Sequence, residues 1–320
     1  MSDKVFSIVV PVYENALNLP DTIPQLVALR DRLPNYQLEL LFVEDGSRDP
    51  SYAILCDFQR RYPDLISVVK LTRNFGQIAA LNVGLQKARG DCVGIISADL
   101  QDPCEMFVDM IREWENGALL VMGERVERFE SRHSVFLSNL FWRTTVKVVS
   151  PSIPPGGYDF CLVDRKLVDD VLTCSQAHIN IFVSFAYFGY RTVRLPYTRA
   201  KREKGKSQWT WFRKVDLLLG TLFSFTSWPI KVGIYVGSAI CVLSILYALL
   251  LLGYALFFGN PVQGWTTIVF LVLLFGGINT LFLGLIGEYV WQLVAVTCKR
   301  PEAVIESFVR QADDTIQGAK

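Results

Sequence analysis

From Val232 through Gly287 the chain contains no Asp, Glu, Lys or Arg. A helix packed on a soluble core keeps a polar face toward water, and this run offers none. It divides at Gly259–Gly264 (GNPVQG), a short turn bearing Gly and Pro. The first part, Val232–Phe258, makes a helix of about 40 Å, enough to cross a bilayer with tilt. The second, Trp265–Gly287, is also long enough, and so short a connection makes the pair a helical hairpin. Two buried helices of a large soluble core are the competing reading, and the missing polar face counts against it.

The flanking charges orient the hairpin. Arg199, Lys201, Arg202, Lys204, Lys206, Arg213, Lys214 and Lys231 precede it, Lys299, Arg300 and Arg310 follow it, and the connecting loop has no basic residue. The excess of Lys and Arg on the cytosolic side then places both termini in the cytosol, with two spans in the plasma (inner) membrane. Trp209–Trp228 mixes Trp and Phe with Arg213, Lys214 and Asp216, the composition of an amphipathic helix lying on the membrane surface. Glu288 ends the second span, either as an intramembrane functional group or as an interfacial one. Gly276-Gly277 and Gly284/Gly287 allow close helix contacts and hence a homo-oligomer. The expected division is a cytosolic domain over 1–208, an interfacial segment over 209–231, spans of about 232–258 and 265–290 within 232–298, and a cytosolic tail over 299–320.

The remainder reads as a soluble protein. The N-terminus runs from Met1–Lys4 straight into an apolar strand pattern, without the long apolar core and cleavage site of a signal peptide. A net charge of +1 in 320 residues gives no case for nucleic-acid binding. Seven cysteines are scattered without a CxxC pair, which fits reduced thiols rather than a disulfide framework or zinc site. His133 and His178 have no metal-ligand spacing.

Short apolar runs at Phe6–Val10, Leu38–Val43, Ile66–Leu71, Val93–Ile96 and Leu119–Met122 alternate with helical patterns. The latter cover Asp21–Leu33, Ser51–Tyr62, Gln77–Ala88 and Glu105–Asn116. A βαβαβαβαβ order predicts an α/β domain with a mostly parallel, doubly wound sheet. Such sheets bind ligands beyond the carboxyl ends of their strands. There the sequence places Pro11-Val12-Tyr13-Glu14-Asn15, then Glu44-Asp45-Gly46-Ser47-Arg48-Asp49, then Ser97-Ala98-Asp99-Leu100-Gln101-Asp102-Pro103. Each alone fits a turn or a helix cap. Together they converge carboxylates on one rim, where mutual repulsion calls for a cation or hydrogen-bond donors. Mg²⁺ takes one or two carboxylates and completes its shell with substrate phosphates.

These three segments resemble the family 2 glycosyltransferases of the GT-A fold (Rossmann-like). Within that family the chain looks like the polyprenyl-phosphate glycosyltransferases, relatives of dolichol-phosphate mannose synthase. The subgroup with a two-helix membrane hairpin, such as bactoprenol glucosyltransferase, is the nearest resemblance. LTRNFGQ (71–77), YDFCLVDRK (158–166), REKGKSQW (202–209) and LIGEYV (285–290) extend it over nearly the whole chain. The resemblance implies inverting transfer of one sugar from a nucleotide-sugar, UDP-glucose first, to polyprenyl (undecaprenyl) phosphate for cell-envelope glycosylation. UDP-GlcNAc, another UDP-sugar and GDP-mannose stay open as donors.

The resemblance also assigns roles. Pro11, Tyr13 and Asp45 would contact base and ribose, and Glu14 and Ser97 would complete the donor site. Asp99 and Gln101 would hold Mg²⁺ or Mn²⁺ against the diphosphate. Arg125 and Arg128 match a pair near the phosphates, Asp159 an acid near the reacting acceptor, and Arg202 and Ser207 a loop closing over donor and lipid phosphate. Asp99 and Asp159 are thus the expected catalytic residues. Two departures stand out: Ser97 replaces the first acid of the usual Asp-Ala-Asp, and Glu14–Asn15 reverses the usual Asn-Glu order. Ser97 also leaves open a catalytically impaired membrane scaffold. A processive polysaccharide synthase would need more spans and a Gln-x-x-Arg-Trp segment, which the sequence lacks.

Overall fold

A computed structural model describes residues 4–99, 101–126, 153–154, 157–173, 180–199, 301, 303–310 and scattered positions between 235 and 294. The chain divides into two compact units, one of 1–221 with 301–320 and one of 222–300.

The first unit alternates strands and helices as the apolar pattern requires. β1 (Lys4–Val12), β2 (Tyr36–Glu44), β3 (Ile66–Leu71) and β4 (Cys92–Ile95) are linked by α1 (Leu19–Arg32), α2 (Ser51–Arg61) and α3 (Gln77–Lys87). A 3₁₀ turn at Cys104–Met106 leads into α4 (Phe107–Glu115), followed by β5 (Leu120–Arg125). Then come β6 (Cys161–Asp164), α5 (Arg165–Thr173), α6 (Ile181–Tyr187), β7 (Thr192–Tyr197) and β8 (Ile305–Val309). The sheet order is β7-β5-β6-β4-β1-β2-β3-β8. β1, β2, β3 and β4 pair in parallel, as do β5 and β7. β6 runs antiparallel between β4 and β5, and β8 runs antiparallel on the β3 edge.

This is the mostly parallel α/β sheet that the alternating pattern predicts, with two differences. The fifth strand does not pair with the fourth, because β6 is inserted between them. The segment expected as a tail over 299–320 contributes β8 to the sheet. Arg310 anchors it, donating from Nη2 to Glu39 and, at 2.8 Å, to the Lys87 carbonyl.

The core on the α1–α2–α4 face is built around aromatic edge contacts. Phe6 meets Phe107 at 5.3 Å, Phe107 meets Phe160 at 5.0 Å, and Phe160 meets Tyr197 at 5.6 Å, with planes 66° to 76° apart. Each such pair contributes about 0.5–1.5 kcal/mol beyond its buried area. Gly123 in β5 leaves room for it: a Cβ there would sit 2.9 Å from both Phe160 and Tyr197. The stack therefore fixes the end of β7, where Tyr197 turns its hydroxyl toward the sheet rim.

In the second unit the described positions of the two charge-free runs are helical, Tyr235, Ala239 and Leu246 in the first and positions from Ile268 to Gly287 in the second. Large apolar side chains there are exposed, Tyr235 at 72%, Leu283 at 68% and Leu293 at 66%. Among the described residues no helix is long and apolar enough to cross a membrane. Most of the two expected spans, the interfacial segment 209–231 and Glu288 lie outside the described residues.

Candidate active site

Since β4, β1 and β2 are parallel neighbours, their carboxyl ends share one edge. The ends of β2 and β4 are two strand spacings apart, about 10 Å. The loops after β1 and β2 are locked together. Glu14 N–H donates to Ser47 Oγ at 3.0 Å, Asn15 N–H to Ser51 Oγ at 3.1 Å, and Ala16 N–H to Asp49 Oδ2 at 3.0 Å. Glu14 takes the left-handed region, φ 51°, to make this turn. Ser47 and Asp49 therefore hold the Tyr13–Asn18 loop in place. Pro11 and Tyr13 are half-buried beside it and Glu14 is exposed.

Asp45 is 3% exposed. Its Oδ1 accepts from Phe75 N–H at 2.7 Å and its Oδ2 from Gly76 N–H at 2.9 Å, at the start of α3. Burial pushes this carboxyl above the usual carboxylate range, and the two amide donors oppose the push. Gly46 is required beside it. Its φ is +64°, and a Cβ would stand 2.3 Å from the Arg73 carbonyl carbon. The Glu44–Ser47 turn and the 72–76 loop thus form one rigid wall.

Beyond β4, Thr22 of α1 donates to the Ala98 carbonyl at 2.9 Å and steadies the loop. Ser97 donates its hydroxyl to Asp99 Oδ1 at 2.6 Å, and the same oxygen lies 3.2 Å from Asp102 Oδ2. Gln101 N–H reaches Asp99 Oδ1 at 3.4 Å. Asp99 and Gln101 are half-buried at the rim, whereas Asp102 is 2% exposed. Tyr197 OH donates to Asp102 Oδ1 at 2.6 Å, and Arg199 Nε stands 3.1 Å from the same oxygen. That Nε contact is a charge contact without hydrogen-bond alignment. Burial and then the Asp159 charge push the Asp102 carboxyl upward, against Arg199 and the Tyr197 hydroxyl.

Asp159 pairs with Arg125 through Oδ1, and its Oδ2 lies 3.6 Å from Arg199. Arg125 Nε also donates to Tyr197 OH at 3.3 Å. Burial works against the Arg125 charge, but Asp159 outweighs it and holds the guanidinium protonated well above its ordinary range. Asp102 and Asp159 thus pair with Arg199 and Arg125, and Ser97 links Asp102 to Asp99. Among the described residues of this network, three carboxylates stand against two guanidiniums.

A divalent cation would add positive charge beside these carboxylates. No cluster of three or more His, Cys, Asp or Glu side chains that could hold a metal occurs among the described residues. The hard-oxygen pair Asp99 and Gln101 fits an ion such as Mg²⁺ or Mn²⁺ that draws most of its ligands from phosphate and water. Asp102 is set apart from that role by its burial against Tyr197 and Arg199.

Of the sequence-predicted residues, Pro11, Tyr13, Glu14, Asp45, Ser97, Asp99 and Gln101 lie along the three strand ends. Arg125 and Asp159 form an ion pair that the network joins to Asp99. Arg128, Arg202 and Ser207 lie outside the described residues. The sequence reading gave no role to Asp102 or Tyr197, and it counted Arg199 only among the charges flanking the hairpin. The signal for the last two was their position at and just beyond the end of a strand, Thr192–Tyr197.

The sequence model of glycosyl transferase family 2 matches residues 7–172. A bactoprenol glucosyl transferase of Shigella phage SfV is 30% identical over 94% of this chain and 98% of its own length. An uncharacterized glycosyltransferase of Synechocystis sp. is 32% identical over 92% of both chains. Among solved structures, a mannosyltransferase from Pyrobaculum calidifontis in complex with GDP-Man and Mn²⁺ is 18% identical, with a TM-score of 0.45 over 83% of this chain and 84% of that one.

Proposed function

The chain belongs to glycosyl transferase family 2 and is a glycosyltransferase, and from that premise we propose that it moves a single sugar from a nucleotide-sugar, UDP-glucose first, to a polyprenyl phosphate at a membrane surface. One observation carries this reading: a bactoprenol glucosyl transferase aligns with 94% of the chain, a span that reaches into the charge-free C-terminal third. The exposed apolar positions Tyr235, Leu283 and Leu293 support the proposed membrane hairpin, because lipid tails are the solvent that suits them. Both termini and the catalytic domain are then cytosolic, as the basic flanks favour.

The residues divide the work. Asp45 fixes the 72–76 loop through two backbone amides, and Pro11 and Tyr13 would contact the base and ribose. Ser97 orients the Asp99 carboxylate. Asp99 and Gln101 would hold Mg²⁺ or Mn²⁺. That ion, when bound, supplies Lewis-acid stabilisation of the departing nucleoside diphosphate. Guanidinium binds phosphate oxygens bidentately, which suits Arg125, Arg128, Arg199 and Arg202 to the lipid phosphate. Such a phosphate monoester has a second pKa of about 6 and is already ionised at neutral pH, so no strong base is needed. Asp159, paired with two arginines, orients them and balances their charge. In-line attack on the anomeric carbon inverts its configuration.

The test is transfer of labelled sugar to solvent-extractable lipid, using membranes that contain the protein and added polyprenyl phosphate. UDP-glucose, UDP-GlcNAc and GDP-mannose are compared, with and without EDTA. Labelled lipid that requires the divalent ion and is formed best with UDP-glucose supports the reading. Another preferred donor corrects only the sugar, polymer in place of lipid overturns the acceptor, and no product with any donor favours the impaired scaffold that Ser97 brings to mind.

A further inference from the structure

Asp102 is buried between the Asp99 loop and the Arg125–Asp159 pair, and the proposed mechanism gives it no direct part. Its side chain is fully buried. One carboxylate oxygen accepts from Tyr197 OH at 2.6 Å and contacts Arg199 Nε at 3.1 Å. The other accepts from Arg199 Nη2 at 3.5 Å and, at 3.2 Å, from Ser97 Oγ, whose single proton is shared with Asp99 Oδ1 at 2.6 Å. Arg199 continues to Asp159 at 3.6 Å, and Tyr197 OH accepts from Arg125. One continuous path from the donor-side carboxylate to the acceptor-side arginines runs through this buried group.

We propose that Asp102 is the positioning residue of both half-sites, acting through Ser97 on Asp99 and through Arg199 and Tyr197 on the Arg125–Asp159 pair. The proposal rests on the lipid-phosphate transferase reading for the identity of the acceptor. The physical reason is that a carboxylate buried at the meeting of two loops fixes whatever hydrogen-bonds to it, since moving away leaves its oxygens unsatisfied. Arg199 alone could rotate, and Ser97 alone could turn its proton elsewhere. With Asp102 between them, their orientations are set together. Satisfied second partners of this kind are what hold reacting groups within a fraction of an ångström.

Two binding measurements without turnover test this on the full chain in detergent: Mn²⁺ affinity in the presence of UDP, and affinity for geranyl phosphate as a short acceptor. Asp102→Asn is expected to weaken both by about tenfold. Ser97→Ala should weaken Mn²⁺ binding alone, and Arg199→Ala should weaken geranyl phosphate binding alone. A shift in only one affinity for Asp102→Asn, or in neither, overturns the proposal even where thermal stability falls, because a purely structural group would lower stability without moving both affinities. Should Asp102→Asn fail to fold, Tyr197→Phe removes one hydroxyl from the carboxylate and is expected to weaken both affinities by about threefold; unchanged affinities there overturn the proposal as well. Wild-type protein that binds Mn²⁺ and UDP but transfers nothing to lipid phosphate would sink the functional reading, while the Asp102→Asn affinities still decide the role of Asp102.

Discussion

Ser97 gives its hydroxyl proton to Asp99 Oδ1 across 2.6 Å, in the position where the family's motif usually places a second carboxylate. The substitution exchanges a charge that would repel Asp99 for a donor that orients it. One carboxylate then carries the proposed cation, with phosphate supplying the balance. Asp99→Ala is expected to lower transfer by at least about 10³-fold, since Lewis-acid stabilisation is worth several kcal/mol and each 1.36 kcal/mol is tenfold. The measurement is initial rate of labelled lipid formation, with thermal melting as the control for folding. Near wild-type transfer by that variant would remove the metal role.

Ser97→Ala separates orientation from charge. It leaves Asp99 in place without its 2.6 Å donor, so the loss should be about tenfold to a hundredfold, the value of one hydrogen bond to a charged group. Titrating Mn²⁺ in the transfer assay should show the loss mainly as a raised half-saturating concentration. A raised acceptor requirement with unchanged metal dependence would place Ser97 elsewhere in the mechanism.

Asp45 holds two backbone amides with its two oxygens, and an amide side chain cannot match that pattern. Asp45→Asn would turn a donating NH₂ toward Phe75 or Gly76 N–H. The expected cost is about 1–3 kcal/mol of stability, the penalty for a buried donor left unmet. Differential scanning calorimetry should show a lower Tm, and the KM for the nucleotide-sugar should rise as the 72–76 loop loosens. A lowered Tm with unchanged donor KM would confine Asp45 to a structural part.

The first five strands and four helices were readable because each carries its own pattern. Val9, Leu41 and Val43 alternate with Ile8, Leu40 and Phe42 across a sheet buried on both faces, and Gln77–Lys87 keeps helical spacing. β6 and β8 carried no such signal. Cys161–Asp164 is only four residues long, and Ile305–Val309 mixes Glu306 and Ser307 into a strand whose stability comes from Lys70, Tyr52 and Glu39, far away in sequence. At the site, motif spacing placed Asp45 and Asp99 at strand ends. It could not tell a side chain that faces a ligand from one that braces a loop. Asp49 and Ser47 brace the Tyr13–Asn18 loop, and Asp102 turns inward to Tyr197 because the aromatic stack delivers that hydroxyl, a contact across 95 positions.

Leu283 is a helical position exposed at 68% in the last third of the second charge-free run. Within a bilayer it would face lipid. Leu283→Arg is then expected to cost insertion free energy, less than the about 2.5–3.5 kcal/mol of a charge at the centre of a spanning helix. After carbonate extraction the wild-type chain should stay with the membrane pellet, and the variant should shift measurably to the supernatant. A wild-type chain released by carbonate would end the proposal of a spanning hairpin.

Arg310 ties the C-terminal strand to the first unit through Glu39, with both side chains nearly buried. Glu39 has two further partners, Ser7 Oγ and, at 2.9 Å, Arg89 N–H, so it cannot swing out to water when the guanidinium is removed. A partly buried carboxylate that loses its cation costs more than an exposed one, with about 3–5 kcal/mol as the fully buried limit. Arg310→Ala should therefore lower the Tm by well over the few degrees expected of a surface substitution. Glu39→Gln in the same chain should recover part of the loss, because the uncompensated charge is then gone. Transfer rates below the melting range should change little, as Glu39 lies toward the amino end of β2, away from the strand ends that carry Asp45 and Asp99. If Arg310→Ala melts as the wild type does, β8 is held by its backbone ladder to β3 rather than by this ion pair.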